Sequence, residues 1–262
     1  MKYNLSEIHE YACLVIGDEI LEGNIIESNL LSLIKAISHK GYVLKESRVI
    51  GDDVDTIANA LSDMRRTYSF VVTTGGIGPT HDDITFQAVA KSFNVETILH
   101  TDMLKYFFQK PRKEESRIKA VRQMSTMPEN VELIHCKGEF PLLKIENCYI
   151  MPGLPSVCNK TIQTLSNILP LQKKRFSASI YINAGEHHYF EWLRNLAKKY
   201  KDTINIGSYP IDKGSELREQ GIISKISFIA SNDIDGQKCF DEVSKYVEPL
   251  GWLVKKTELS PI

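Results

Sequence analysis

Short apolar runs alternate with amphipathic stretches over the first hundred residues. Tyr11-Ala12-Cys13-Leu14-Val15-Ile16 is apolar without a break and stops at Gly17. Such a run reads as a strand buried on both faces. Leu30, Ile34 and Ile37 then recur at i, i+4 and i+7, with Ser28 placed to cap that helix and Gly41 to end it. Tyr42–Ile50 reads as a second strand. Ile57, Leu61 and Met64 mark a second helix, opened by Asp53 or Asp55. Ser69–Thr74 reads as a third strand ending at Gly75-Gly76, and a third helix follows from about Thr85 to Phe93. Strand and helix in alternation predict parallel pairing through right-handed crossovers. In such sheets ligands bind beyond the carboxyl ends of the strands.

Residues 101–130 look helical and polar, and the mixed charges from Lys110 to Arg122 read as a solvated helix or flap. Val131–His135 and Cys148–Met151 read as strands. Pro152-Gly153-Leu154-Pro155 breaks the chain before a helix over Ser156–Ile168, and residues 169–175 read as a linker. Beyond it the order changes. Strands are predicted at Phe176–Asn183, Thr203–Ser208, Ser224–Ala230 and Gly251–Lys256, with helices at Glu186–Tyr200 and Cys239–Val247. That β-α-β-β-α-β order is the ferredoxin-like split unit. Two domains are therefore expected. Residues 1–170 form a three-layer α/β/α domain on a mostly parallel sheet, and residues 176–262 form a ferredoxin-like α+β domain.

Composition narrows the function. The 262 residues are 42% hydrophobic and 25% charged, which excludes a largely disordered chain. A formal net charge of −1 lacks the basic excess of a nucleic-acid binder or a polybasic membrane anchor, so neither partner is expected. No run of 18 apolar residues and no signal-like apolar core is present. The five cysteines are scattered and form no CxxC pair, so no zinc ribbon is indicated and a reducing, cytoplasmic compartment is expected.

The candidate chemistry sits at predicted strand ends. Gly75-Gly76-Ile77-Gly78-Pro79-Thr80-His81-Asp82-Asp83 joins a buried strand to a helix. Its glycines permit a tight turn with backbone N–H groups close to an anion, and the helix N-terminus adds positive potential. It is neither a Walker A loop nor a GxGxxG loop. Asp82 and Asp83 stand where a phosphate would lie, which points either to a bridging divalent cation or to plain helix capping. Gly17-Asp18-Glu19 follows the first strand and Gly51-Asp52-Asp53 the second. Carboxylates crowded into one crevice call for a cation. Met151-Pro152-Gly153-Leu154-Pro155 turns the chain into a helix and brings further backbone N–H groups. His81 is a candidate phosphate donor or acid–base group. Adjacent His187 and His188 point apart on a helix and read as surface residues.

GDEIL from Gly17, GGIGPTHDDIT from Gly75 and MPGLP from Met151 together resemble the MoaB/MogA-like molybdopterin-binding fold family. Within it they look like the CinA N-terminal branch, and most of all the molybdopterin-binding-like domain of eukaryotic FAD synthases. The phrase Ile206-Gly207-Ser208-Tyr209-Pro210 is also similar to that group. The resemblance implies a metal-dependent nucleotide diphosphatase, cleaving ADP-ribose- or FAD-like substrates into two monophosphates. It implies Mg²⁺, Mn²⁺ or Co²⁺ as cofactor, with K⁺ as a stimulant. The alternative is a molybdopterin-, pterin- or nucleotide-binding protein without turnover. It also implies homo-oligomerisation. Asp82, Asp83 and Asp18 are the catalytic candidates, and Asp18, Asp53 and Asp83 the metal ligands. Gly75, Gly76, Gly78, Pro79, Thr80, His81, Gly17, Asn29, Pro152 and Gly153 are the phosphate- or nucleotide-binding candidates. The chain departs from CinA-like sequences at 135–142, where an Asn-Pro-x-Gly-x-Ala-Pro-Gly segment is replaced by HCKGEFPL. The base side of the pocket is thus left open. No segment resembles an NMN deamidase or an adenylyltransferase, so neither activity is expected.

Overall fold

The computed structural model describes residues 10–108, 115–135, 139–172, 176–230 and 232–259. The middle of the replaced segment, with Cys136, and the first part of the mixed-charge run lie outside them. Contacts divide the chain into Met1–Gln172 and Lys173–Ile262.

In the first unit β1 (Glu10–Ile16) leads through a short helical turn α1 (Asp18–Leu21) to α2 (Asn29–Ser38) and β2 (Val43–Ile50). Then come α3 (Val54–Thr67), β3 (Phe70–Thr74), α4 (Thr85–Phe93), β4 (Thr97–Leu99), α5 (Thr101–Phe108) and α6 (Glu115–Met124). The unit closes with β5 (Thr126–Pro128), β6 (Glu132–Ile134), β7 (Leu142–Ile145), β8 (Cys148–Met151) and α7 (Pro155–Ile168). The main sheet has the order β2-β1-β3-β8-β7-β6. Its first four strands are parallel, and β7 pairs antiparallel with both β8 and β6.

The unbroken apolar run of β1 is explained by its two faces. Ala12, Leu14 and Ile16 pack with Ile57, Leu61 and Met64 of α3 and Val89 of α4. Tyr11, Cys13 and Val15 pack with Leu33 and Ile37 of α2 and Ile162 and Leu165 of α7. Each fully buried Leu or Ile contributes about 1.5–3 kcal/mol, so helices are held to both faces and the unit has three layers.

The structure corrects several expectations. β7 was not expected; it forms a tight hairpin with β8 around Glu146, whose φ of 48° is left-handed. The polar stretch 101–130 is two helices plus β5, which pairs with β4 in a separate ribbon. Ser28 makes no side-chain cap on α2; Glu27 accepts from the N–H groups of Asn29 and Leu30 instead.

The second unit comprises β9 (Phe176–Ile182), a 3-10 turn over Glu186–His188, α8 (Phe190–Lys199) and β10 (Ile204–Pro210). It continues with α9 (Glu216–Glu219), β11 (Ser224–Ala230), α10 (Asp233–Val247) and β12 (Leu253–Leu259). Its sheet is antiparallel throughout, in the order β10-β11-β9-β12. That order is ferredoxin-like, with Ile180, Ile226, Phe228 and Val243 in a core of its own. No helix among the described residues is long and apolar enough to cross a membrane.

Candidate functional site

The carboxyl ends of β1, β3 and β8 lie side by side, and the turns leaving them touch. Gly75, at φ 107°, passes so close to β1 that a Cβ there would sit 2.1 Å from the Ile16 carbonyl oxygen. No side chain fits, and that approach is what requires glycine. Gly76 adopts φ 63°, and its carbonyl accepts from the Thr85 N–H while the Thr85 hydroxyl donates to the Gly75 carbonyl. The start of α4 is thereby tied back onto the turn.

The loop between them is closed by Asp83. Its carboxylate accepts from the Gly78 N–H at 2.5 Å, from the Thr80 N–H at 2.7 Å and from the Thr80 hydroxyl. The helix itself begins at Thr85 without a side-chain cap. Asp83 is thus a clasp, and the backbone donors of Gly78 and Thr80 already hold an anion of the chain's own. Gln123 of α6 donates to the Thr80 carbonyl and fixes the far side of the loop.

A cavity of about 600 Å³ opens above these turns. Gly75, Gly76, Gly78, Pro79 and Asp83 line it, with Asn29, Pro152 and Gly153 from the neighbouring strand ends. Phe107, Met124 and Phe140 provide an apolar wall, and Ile25 and Ile26 lie toward solvent. Among the described residues no lysine or arginine lines it, and the charged lining groups are Glu19, Glu27 and Asp83. Gly17, Asp18, Asp53, Thr80, His81 and Asp82 do not line it. The His81 ring is almost fully exposed, 3.8 Å from Asp82.

Beside the cavity lies an acidic edge. Asp18 and Asp52 exchange bonds across the β1 and β2 ends: the Asp18 N–H donates to Asp52 Oδ2 at 2.9 Å, and the Asp52 N–H to Asp18 Oδ1 at 3.2 Å. Burial raises the Asp52 carboxyl above the ordinary aspartate range, against the Asp18 N–H bond, and the charges of Asp18, Glu19 and Asp82 push it further up. Asp82 is exposed, and hydrogen bonding from Thr80 and from its own backbone N–H holds its carboxyl below that range.

Asp53, an expected metal ligand, is elsewhere engaged. It caps α3, accepting from Thr56 through the N–H at 2.8 Å and the hydroxyl at 2.7 Å. Its neighbour Asp52 faces Asp18 instead. Asp18, Asp53 and Asp83 therefore form no ligand set, and no group of three metal-ligating side chains occurs among the described residues. Asp52 and Glu19 stood among the acidic strand ends singled out in the sequence but were not assigned as ligands. The cap position immediately before the Val54 helix was the signal that Asp53 was spoken for.

Two carboxylates at one edge still suit a hard cation. Mg²⁺ is commonly held by one or two carboxylates with substrate phosphates and water completing its shell. Asp18 and Asp52 each keep one oxygen outside their mutual bonds, and the neighbouring charges of Asp18, Glu19 and Asp82, which add to the effect of burial on Asp52, are ones a cation would offset.

Comparison with known proteins places this site in a family. The model described as a probable molybdopterin binding domain matches residues 12–172. The chain belongs to that family. Residues 174–252 match the middle domain of FAD synthase. A probable FAD synthase of Caenorhabditis elegans is 30% identical over 224 residues, covering 76% of this chain and 43% of that protein. A protein of Archaeoglobus fulgidus is 29% identical over 77% of this chain and 86% of its own length. A CinA-like protein of Syntrophotalea carbinolica is 31% identical over 55% of this chain and 36% of its own length. The chain thus spans under half of the FAD synthase and CinA-like relatives. The solved structure of CinA from Thermoplasma acidophilum shares the fold of the first unit, with a TM-score of 0.53 at 24% identity, covering 62% of this chain and 98% of that one.

Proposed function

We propose that the first unit is a metal-dependent nucleotide diphosphatase acting on ADP-ribose- or FAD-like substrates. The observation that carries this reading is the acidic edge of Asp18, Glu19, Asp52 and Asp82 beside the cavity, whose described lining holds no cationic side chain. A cation held at that edge would offset the repulsion between these carboxylates and a diphosphate.

Asp18 and Asp52 would hold the cation, in place of the Asp53 expected from sequence. When bound, a divalent ion offsets charge on the diphosphate and lowers the pKa of water. The chain's own contribution is placement. The Gly75–Gly76 turn admits the ligand close to the backbone, and Asp83 keeps the loop in one shape. Asp82, at the exposed edge, would accept a hydrogen bond that aims the attacking water, whose proton passes to solvent. The water oxygen bonds to one phosphorus, the bridging anhydride oxygen leaves on the other phosphate, and two monophosphates result.

Incubation with ADP-ribose and FAD, with and without Mg²⁺, Mn²⁺ or Co²⁺ and K⁺, should release AMP only when a divalent ion is present. Chromatography reads the product. Absence of AMP from the folded protein under all conditions overturns hydrolysis. The occupied Gly78 and Thr80 donors favour the second reading in that case, binding of a pterin or nucleotide without turnover.

A further inference from the structure

One buried polar group of the cavity is an acceptor with nothing in the protein to accept from. Asn29 is 7% exposed and lines the cavity at the start of α2. Its amide orientation is set by its partners. The Gly153 carbonyl, 2.8 Å away, only accepts, so the atom facing it is the amide nitrogen. The second N–H reaches Thr74 Oγ1 at 3.0 Å, and that hydroxyl spends its own proton on the Pro152 carbonyl at 3.1 Å. Both N–H groups are therefore used, tying α2 to the ends of β3 and β8. Oδ1 is buried and has no partner in the protein. An unpaired buried acceptor is costly, and a ligand that supplies a donor removes the cost.

We propose that Asn29 is a specificity-determining residue that accepts a hydrogen bond from a ligand N–H or O–H. Of the phosphate- or nucleotide-binding role expected for Asn29, this keeps the nucleotide part, because an ionised phosphate carries only acceptors and would face Oδ1 lone pair to lone pair. The group against Asn29 is a heterocycle amino or imino group or a sugar hydroxyl. The phosphates lie away from it, toward the acidic edge. The inference rests on the reading of the cavity as a nucleotide site.

Calorimetric titration of the full chain with matched ligands tests it. One set is AMP, its analogue lacking the 6-amino group, and the 2′-deoxy and 3′-deoxy forms. The other is FMN and N3-methyl-FMN. One analogue lacking a single donor should bind wild type at least about tenfold more weakly than its parent, because it leaves Oδ1 unpaired. The analogue that does so distinguishes ring donor from sugar donor. In Asn29→Leu the parent should weaken and the difference between parent and analogue should vanish. If Asn29→Leu fails to fold, Asn29→Ala carries the same comparison. Equal binding of every analogue and its parent by wild type overturns the proposal, as does a difference that persists without Asn29. Failure of every ligand to bind wild type overturns both this inference and the nucleotide reading, whereas binding without discrimination overturns this inference alone.

Discussion

Three residues set the behaviour of the site, each by a different physical route. Gly75 acts by having no side chain. Gly75→Ala forces a Cβ into the Ile16 carbonyl at a positive φ, so β1 and β3 must separate or the turn must rearrange. A loss of at least about 2–3 kcal/mol is expected, the scale of overpacking plus backbone strain, measured by urea unfolding. Asp83 acts through its bonds. Asp83→Ala leaves the Gly78 and Thr80 N–H groups without their anion. The protein should stay folded, lose about 1–3 kcal/mol and lose most AMP release because the loop no longer holds its shape. Full activity in that variant would remove the loop from the mechanism. Asp52 acts through its charge. Its carboxyl is raised in the folded chain, so the folded state binds the proton more tightly than the unfolded state. Stability therefore falls as pH rises through the window from the ordinary aspartate value to the raised one, and remains lowered at neutral pH. Asn at this position keeps an acceptor for the Asp18 N–H and carries no charge. Asp52→Asn should melt above wild type at pH 7 and lose that advantage near pH 3, while AMP release drops.

At the scale of elements, the end of a helix or strand decides which neighbouring residue is free. Asp53 and Asp52 are adjacent acids with different fates, because α3 begins at Val54 and takes Asp53 as its cap. Asp53→Ala should cost about 1 kcal/mol in chemical unfolding and leave the metal dependence of AMP release unchanged. A shifted metal dependence would return Asp53 to the ligand set. The elements carrying the site were legible in the sequence for a physical reason. β1, β3 and the helices that cover them have long apolar patterns of a single period. The β7–β8 hairpin was less legible. Leu142–Ile145 is four residues long, and its turn depends on Glu146 and Asn147 rather than on glycine or proline. The β4–β5 ribbon has only three residues per strand, too few to show a period.

At the scale of the whole molecule, the chain is two units with separate cores. Every residue assigned to the site belongs to the first. Residues 1–172 produced alone should fold and release AMP from ADP-ribose with the same metal dependence as the full chain. Circular dichroism and the chromatographic assay check both parts, and loss of activity in a folded fragment would assign the second unit a direct role. The sequence by itself determined the fold class of each unit, because burial on one or two faces writes itself as a period along the chain. It also located the glycine turns and acidic strand ends. Only the tertiary structure decided that Asp52 rather than Asp53 joins Asp18, that Asp83 occupies the loop's own donors, and that Asn29 keeps a buried acceptor unpaired. Those outcomes depend on which hydrogen-bonding groups meet across β1, β2, β3 and β8, and pairing between distant segments leaves no period in the sequence.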